Sequence, residues 1–384
     1  MLVMLIAFAF LLVLTITTIR KKKENQASIL LRIMTNYLQL ISAAYSFNLK
    51  FPDGFLEVFG SVEIVGASSD AFLSFDCFVE DSEMKFFAPS VEIFKAFLTT
   101  FIPIALIIIF ILMWVVLYLI NHKVFSNLKR NIIVSIICIL FLLHPNVTKQ
   151  AFSMFECISV GGTEMRMRAN MDYDCYSSDH VKWIAIAGIP SLIVWVIAVP
   201  IFAFMILFKN RNKLEDDNVK KYYLILYQGL TRKVYYWEFI NTIRKVAIIG
   251  LSTILSVISI SYRLLLCILV LVIVERLQQR LQPYKLKDNN EIEIYAIIAG
   301  TTVLLSGLIF EESAEDNYYA FEAMGLILIA TYNSIFLLKW TYLFLSSLNI
   351  KNEKFRKGVE IYGYLICSHK SKRSEKKIEK KVRM

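Results

Sequence analysis

Histidine, glycine and charge are all scarce in this chain. It has four histidines in 384 residues. With no His-x-x-x-His spacing and no Cys-x-x-Cys pair, little is left from which to build a zinc site. The thirteen glycines are scattered. None opens a phosphate-cradling loop, and neither a nucleophile elbow nor a metalloprotease helix is present. No motif calls for a cofactor, so the expectation is a protein that is not an enzyme. Charged residues make up 19% of the chain, against about 25% in a soluble domain. That deficit excludes an ordinary water-solvated globule.

Apolar side chains take the place of charge. They make up 57% of the residues, the mean hydropathy is +0.56, and runs of about 20 apolar residues recur, the length a bilayer core requires. The pattern predicts an all-α polytopic helix bundle, an integral multi-pass protein of the plasma membrane or an internal membrane. Nine spans are expected. They lie at residues 1–19, 29–49, 96–120, from 132 onward, at 183–208, as a hairpin on either side of the 259–262 turn, and at 292–310 and 320–345. The second has Arg32, Asn36 and Gln39 on one side at helical spacing. That face suits an interfacial helix or a span with a polar side turned to the bundle.

Basic residues follow alternate spans. Arg20 to Lys23, residues 121–130, 209–236 and 276–290, and the tail hold most of the Lys and Arg. By the positive-inside rule the N-terminus lies outside and the C-terminus inside, with outer loops near 51–91 and 156–182. Residues 1–350 form the membrane domain. Residues 351–384 form a basic cytosolic tail, with twelve Lys and Arg within the chain's net charge of +10. The expected partners are membrane lipid and, at the tail, anionic lipid. A homo-oligomer is compatible with the pattern. A nucleic-acid partner is not expected, because no basic folded domain carries a recognition motif.

Of six cysteines, Cys138 and Cys267 fall in spans and Cys367 in the tail. Cys77, Cys157 and Cys175 fall on the outer, oxidising side. Cys157 and Cys175 share one loop, and closing about 18 residues would contribute on the order of 3 kcal/mol. They are the expected disulfide, with a Cys77 pairing as the competitor. Arg166 and Arg168 in the same loop read as solvated, or as a site for an acidic ligand.

The stretch YYWEFINTIRKVAIIGLSTIL sets Glu238, Arg244 and Lys245 into an apolar run. Counting from the hairpin turn puts Arg244 and Lys245 at a depth similar to Glu275 and Arg276. Three readings stand: the charges line a functional ion pathway, Arg244 and Lys245 snorkel to the inner headgroups, or Arg244 pairs with Glu275 across the hairpin. Glu238 and Glu291 would then form the wet end. His144 next to Pro145, with Asn146 and Lys149, is either an intramembrane polar group at a proline kink or a frayed outer helix end. Asn146-Val147-Thr148 fits the glycosylation triplet but abuts an apolar run, and reads as a chance match.

Several short motifs occur in an order that matches a known family. They are Thr35-Asn36-Tyr37-Leu38-Gln39 with Phe47 to Pro52, Asp76-Cys77-Phe78, His144-Pro145 ahead of Phe155-Glu156-Cys157, and Asp174-Cys175 ahead of Trp183. Tyr235-Tyr236-Trp237-Glu238 with Arg244-Lys245 follows, then Gln282-Pro283-Tyr284 with Asn290-Glu291. Over residues 1–350 the chain resembles the transmembrane C-terminal domain of fungal-type transient-receptor-potential-like proteins, the flavin-carrier and polycystin-like group. It also resembles the membrane module that ends large cysteine-rich surface proteins of protists. The resemblance implies a cation-channel-type protein, with calcium among the candidate ions. The residues add no selectivity filter. Alternatives are a non-conducting receptor or anchor module acting with a larger cysteine-rich partner, and a small-molecule transporter.

Overall fold

The computed structural model describes residues 26–45, 47, 49–51, 91–122, 127–161, 164–255, 258–316, 319–348, 358–359 and 361–362. The expected first span, Cys77 with nearly all of loop 51–91, and almost the whole basic tail lie outside the described residues.

Helices dominate: α1 (Gln26–Tyr45), α2 (Val91–Ile120) and α3 (Leu128–Ser153) come first. A small antiparallel sheet follows, in strand order β1 (Cys157–Val160), β2 (Glu164–Met167), β3 (Asn170–Asp174). The composite helix α4 (Ser178–Lys209) then leads to α5 (Asp217–Tyr227), α6 (Trp237–Thr253), α7 (Ile260–Leu281), α8 (Lys287–Asp316) and α9 (Tyr319–Ser347). The sheet corrects the all-α expectation. Its strands are only four or five residues long, too short for a period-2 signal to stand out in sequence.

Among the described residues, five helices are long and apolar enough to cross a membrane: Ala96–Ile120, Leu128–Ser153, Ser178–Lys209, Lys287–Glu312 and Ala320–Ser347. Three of them leave apolar side chains bare along their length, among them Leu119, Phe202 and Ile327. An apolar surface that continuous is a lipid-facing surface. The chain is an integral, multi-pass membrane protein. Helices α1, α6 and α7 lie in the same bundle but are shorter or more charged, since α6 has 17 residues and α7 carries Arg263, Glu275, Arg276 and Arg280.

Two apolar cores meet along α3. Phe110, Ile139, Leu143, Val147 and Trp195 join α2, α3 and α4. The larger core joins α1, α5, α6, α7, α8 and α9 around Leu30, Ile33, Trp237, Leu264, Leu304 and Phe336. In α1 the face with Asn36 and Gln39 turns into the bundle, where both are buried. That favours a bundled helix over an interfacial one.

Helix α4 contains two π-helical stretches, Ile184–Gly188 and Leu192–Ala198, each followed by a proline two residues on. A proline ring clashes with the carbonyl one turn back and lacks an N–H. Widening the turn relieves the clash. The Val199 N–H bonds to the Val194 carbonyl. In that register the Trp195 carbonyl would face Pro200, which has nothing to donate. His144 on α3 lies beside the Trp195 backbone.

Gly300 and Gly307 lie two turns apart on α8, where α1 and its continuation cross. A Cβ on Gly300 would sit 2.2 Å from Leu40 Cδ2, and one on Gly307 2.3 Å from Leu49 Cδ1. Gly300→Val is expected to destabilise the bundle by about 1–3 kcal/mol through overpacking. Thermal unfolding in detergent checks this, and adding Leu40→Ala is expected to recover part of the loss.

Candidate functional site: a buried charge cluster

Helix α6 sets Glu238, Asn241, Arg244 and Lys245 within two turns, and all four are buried. Helix α1 brings Arg32 to them and α8 brings Glu293. Arg32 Nε lies 3.5 Å from Glu238 Oε2. The same guanidinium donates to the carbonyls of Ile225 at 3.1 Å and Gln228 at 2.6 Å. These carbonyls close the C-terminus of α5, where the helix dipole favours a cation. Arg244 Nη1 lies 3.7 Å from Glu293 Oε1, with both side chains under 3% exposed. That is an ion pair, too long for a hydrogen bond. Lys245 points to the other side, its ammonium 4.7 Å from the centre of the Phe141 ring. With Arg32, Arg244 and Lys245 against Glu238 and Glu293, the cluster carries one excess positive charge when all five are ionised.

The cluster is tied to a latch between two loops. Gln282 takes a left-handed conformation (φ 43°), and Pro283 then turns the chain so that Tyr284 bridges Leu230. Thr231 N–H donates to Pro283 O at 2.8 Å and Lys285 N–H to Gly229 O at 2.9 Å. Asn290 holds the turn from inside. Its Nδ2 donates to Tyr284 O at 2.7 Å and Leu286 O at 3.2 Å. Its Oδ1 accepts from Tyr284 N–H at 2.9 Å and Gln278 Nε2 at 3.3 Å. The Tyr284 hydroxyl reaches Glu293 Oε2 at 3.5 Å.

These contacts revise the hairpin reading. Arg244 meets Glu293, not Glu275. The buried face of α7 runs Leu264, Cys267, Leu271, Val274, Gln278, and one residue past Val274 is a turn of about 100°. Glu275 therefore points off that face, and it accepts from Gln279 Nε2 at 2.7 Å. Arg244 does not snorkel either, being buried. Glu238 is not the wet end, because α1 covers it. Glu291 is half-exposed near Lys287 at 3.9 Å. Sequence reasoning missed Glu293 and the role of Arg32. The available signal was helical phase: Glu293 follows Asn289 by four and Asn290 by three, while Glu291 falls on the opposite side. His144 lies inside α3 rather than at a frayed end, and Asn146 is buried, so the triplet is not an exposed acceptor.

The far end of the bundle carries the sheet. Cys157 and Cys175 form a disulfide there, with Cα atoms 6.2 Å apart. His180 accepts from Tyr176 N–H at Nδ1, which leaves its Nε2 to donate to the Met154 carbonyl at 3.1 Å. Both loop arginines are paired within the loop, Arg168 with Glu156 at 3.1 Å and Arg166 with Asp174 at 2.7 Å. Burial raises the Glu156 carboxyl, and the Arg168 guanidinium opposes that shift.

The chain is similar to the Cysteine repeat modular protein A of Toxoplasma gondii, with 29% identity over 126 residues. The match covers 31% of this chain and 4% of that relative's length. No protein-family model matches the chain, and no solved structure does. The similarity is distant and partial. With the apolar helices it defines a multi-pass membrane protein distantly related to a protist cysteine-rich modular protein.

Asn290→Ala would strip buried backbone and amide groups of their partners, at about 1–3 kcal/mol. A clear drop in thermal midpoint is expected in detergent, with little change for the half-exposed Glu291→Ala. Peptide mapping of alkylated, non-reduced protein is expected to recover Cys157 linked to Cys175, and free thiols at both positions would contradict the pairing.

Proposed function

We propose that this chain is the membrane module of a cation-conducting, transient-receptor-potential-like protein. In this reading the buried cluster couples the latch to the bundle and does not line the ion path. Conduction is what the resemblance to transient-receptor-potential-like proteins implies, and the observation that supports a functional role for the bundle is the set of five charged side chains from α1, α6 and α8 held inside it. Charges at membrane depth cost about 2.5–3.5 kcal/mol each near mid-bilayer, and they mark functional sites in membrane proteins. The excess positive charge repels a cation, so a cation path through the cluster is disfavoured.

Nine spans, with the sheet end and N-terminus outside and the latch and basic tail inside, fit the placement of Lys and Arg. This orientation puts the Cys157–Cys175 disulfide on the oxidising side and the tail against anionic lipid. The chain carries no catalytic motif, and we read it as not an enzyme.

Purified protein in planar bilayers is expected to give currents that follow the cation when the salt is exchanged. Folded protein that stays silent across voltage and calcium would reject conduction. It would leave the non-conducting module that acts with a cysteine-rich partner.

A further inference from the structure

A cavity of about 640 Å³ opens between α3, α4, α5 and α6. It is within the range of small-molecule sites, about 300–1,000 Å³. Its walls are apolar: Ile136, Leu140 and Phe141 on one side, Val199, Phe202 and Ala203 on the other. Phe202 is exposed on the outside of α4, so the mouth lies on a lipid-facing surface. One strip is polar. Glu238, Thr242 and Lys245 share one face of α6, and His144 faces them from α3.

Charge in this strip is unbalanced. Glu238 is already engaged with Arg32, and Glu293 with Arg244. Lys245 is 6% exposed, lines the cavity, and has no ion-pair partner among the described residues. A Phe ring 4.7 Å away offsets part of its desolvation but supplies no negative charge. Beside it, His144 Nε2 is buried with no hydrogen-bond partner. An apolar chamber with a bare ammonium at its end fits an amphiphile with a long apolar tail and one small anionic head.

We propose that this cavity binds a long-chain fatty acid from the surrounding membrane, its carboxylate on Lys245 and its tail between α3 and α4. The carboxylate completes the cluster's charge, turning an excess of one positive charge into neutrality. Choosing one negative charge follows from that count, and choosing a carboxylate follows from the narrow polar strip, which offers few donors. The proposal rests on the membrane reading but not on conduction.

The test uses the full chain in phosphatidylcholine nanodiscs and a photoactivatable oleic acid analogue, with labelled peptides mapped by mass spectrometry. Labelling is expected on α3 and α4 peptides around Phe141 and Phe202. Oleate is expected to compete at least about tenfold better than methyl oleate, the difference a charged hydrogen bond makes. Lys245→Gln is expected to erase that preference and Lys245→Arg to keep it. Ala203→Trp, which fills the tail region and leaves every charge in place, is expected to lower labelling severalfold. It decides the question if Lys245→Gln fails to fold. Equal competition by oleate and methyl oleate, labelling spread over all lipid-facing helices, or labelling unchanged in Ala203→Trp would each overturn the site. None of these readouts depends on current, so the site and the conduction proposal fail separately.

Discussion

Three cations and two carboxylates must be kept inside an apolar bundle, and the arrangement of α1, α5, α6 and α8 follows from that constraint. An unpaired charge in such surroundings costs several kcal/mol even after relaxation. The bundle meets this with partners drawn from different helices. Glu238 and Arg244 sit on α6, and their counter-ions come from α1 and α8. Arg32 also closes the carbonyl end of α5, so one guanidinium fixes three elements. The Glu293 carboxyl also meets the Tyr284 hydroxyl of the loop latch. Charge pairing, loop position and helix packing are therefore one problem with one solution. Gly300 and Gly307 serve the same end by admitting Leu40 and Leu49, which lets α1 lie close enough for Arg32 to arrive.

At the opposite end the solutions differ. Arg263 donates to the Ser252 carbonyl at 2.7 Å, closing the C-terminus of α6 with a cation from α7. A disulfide holds the sheet, and His180 tethers the turn after it to the end of α3. Between the two ends α4 is widened twice by its prolines, and His144 on α3 faces the second of these stretches. The cavity lies beside this widened helix.

Much of this was legible in the sequence, for physical reasons that can be named. Long apolar runs marked α2, α3, α4, α8 and α9, because a bilayer demands both length and composition. The polar stripe on α1 and the charges in α6 were visible as anomalies in apolar helices. Cys157 and Cys175 stood out as two thiols in one polar loop. The partners were not legible. Counting depth along a hairpin assumed that α6 meets α7 on the face bearing Glu275, and rotation of α7 about its axis decides that instead. Glu293 was hidden behind Glu291, since two acids at an inner helix end look alike until the helical phase is fixed. The sheet was missed because its short strands carry no period.

The measurement that bears most directly on the account is a charge-exchange cycle on Arg244 and Glu293. Arg244→Glu, Glu293→Arg and the double exchange would be compared by thermal unfolding of this chain in nanodiscs, with Arg244→Glu/Glu275→Arg as the reference pair. If the cluster organises the bundle, each single change lowers stability by about 3–5 kcal/mol. The double exchange then recovers well beyond additivity, by at least about 1 kcal/mol, while the Glu275 pair recovers nothing. Additive losses at Arg244 and Glu293, or recovery at Glu275 instead, would contradict it.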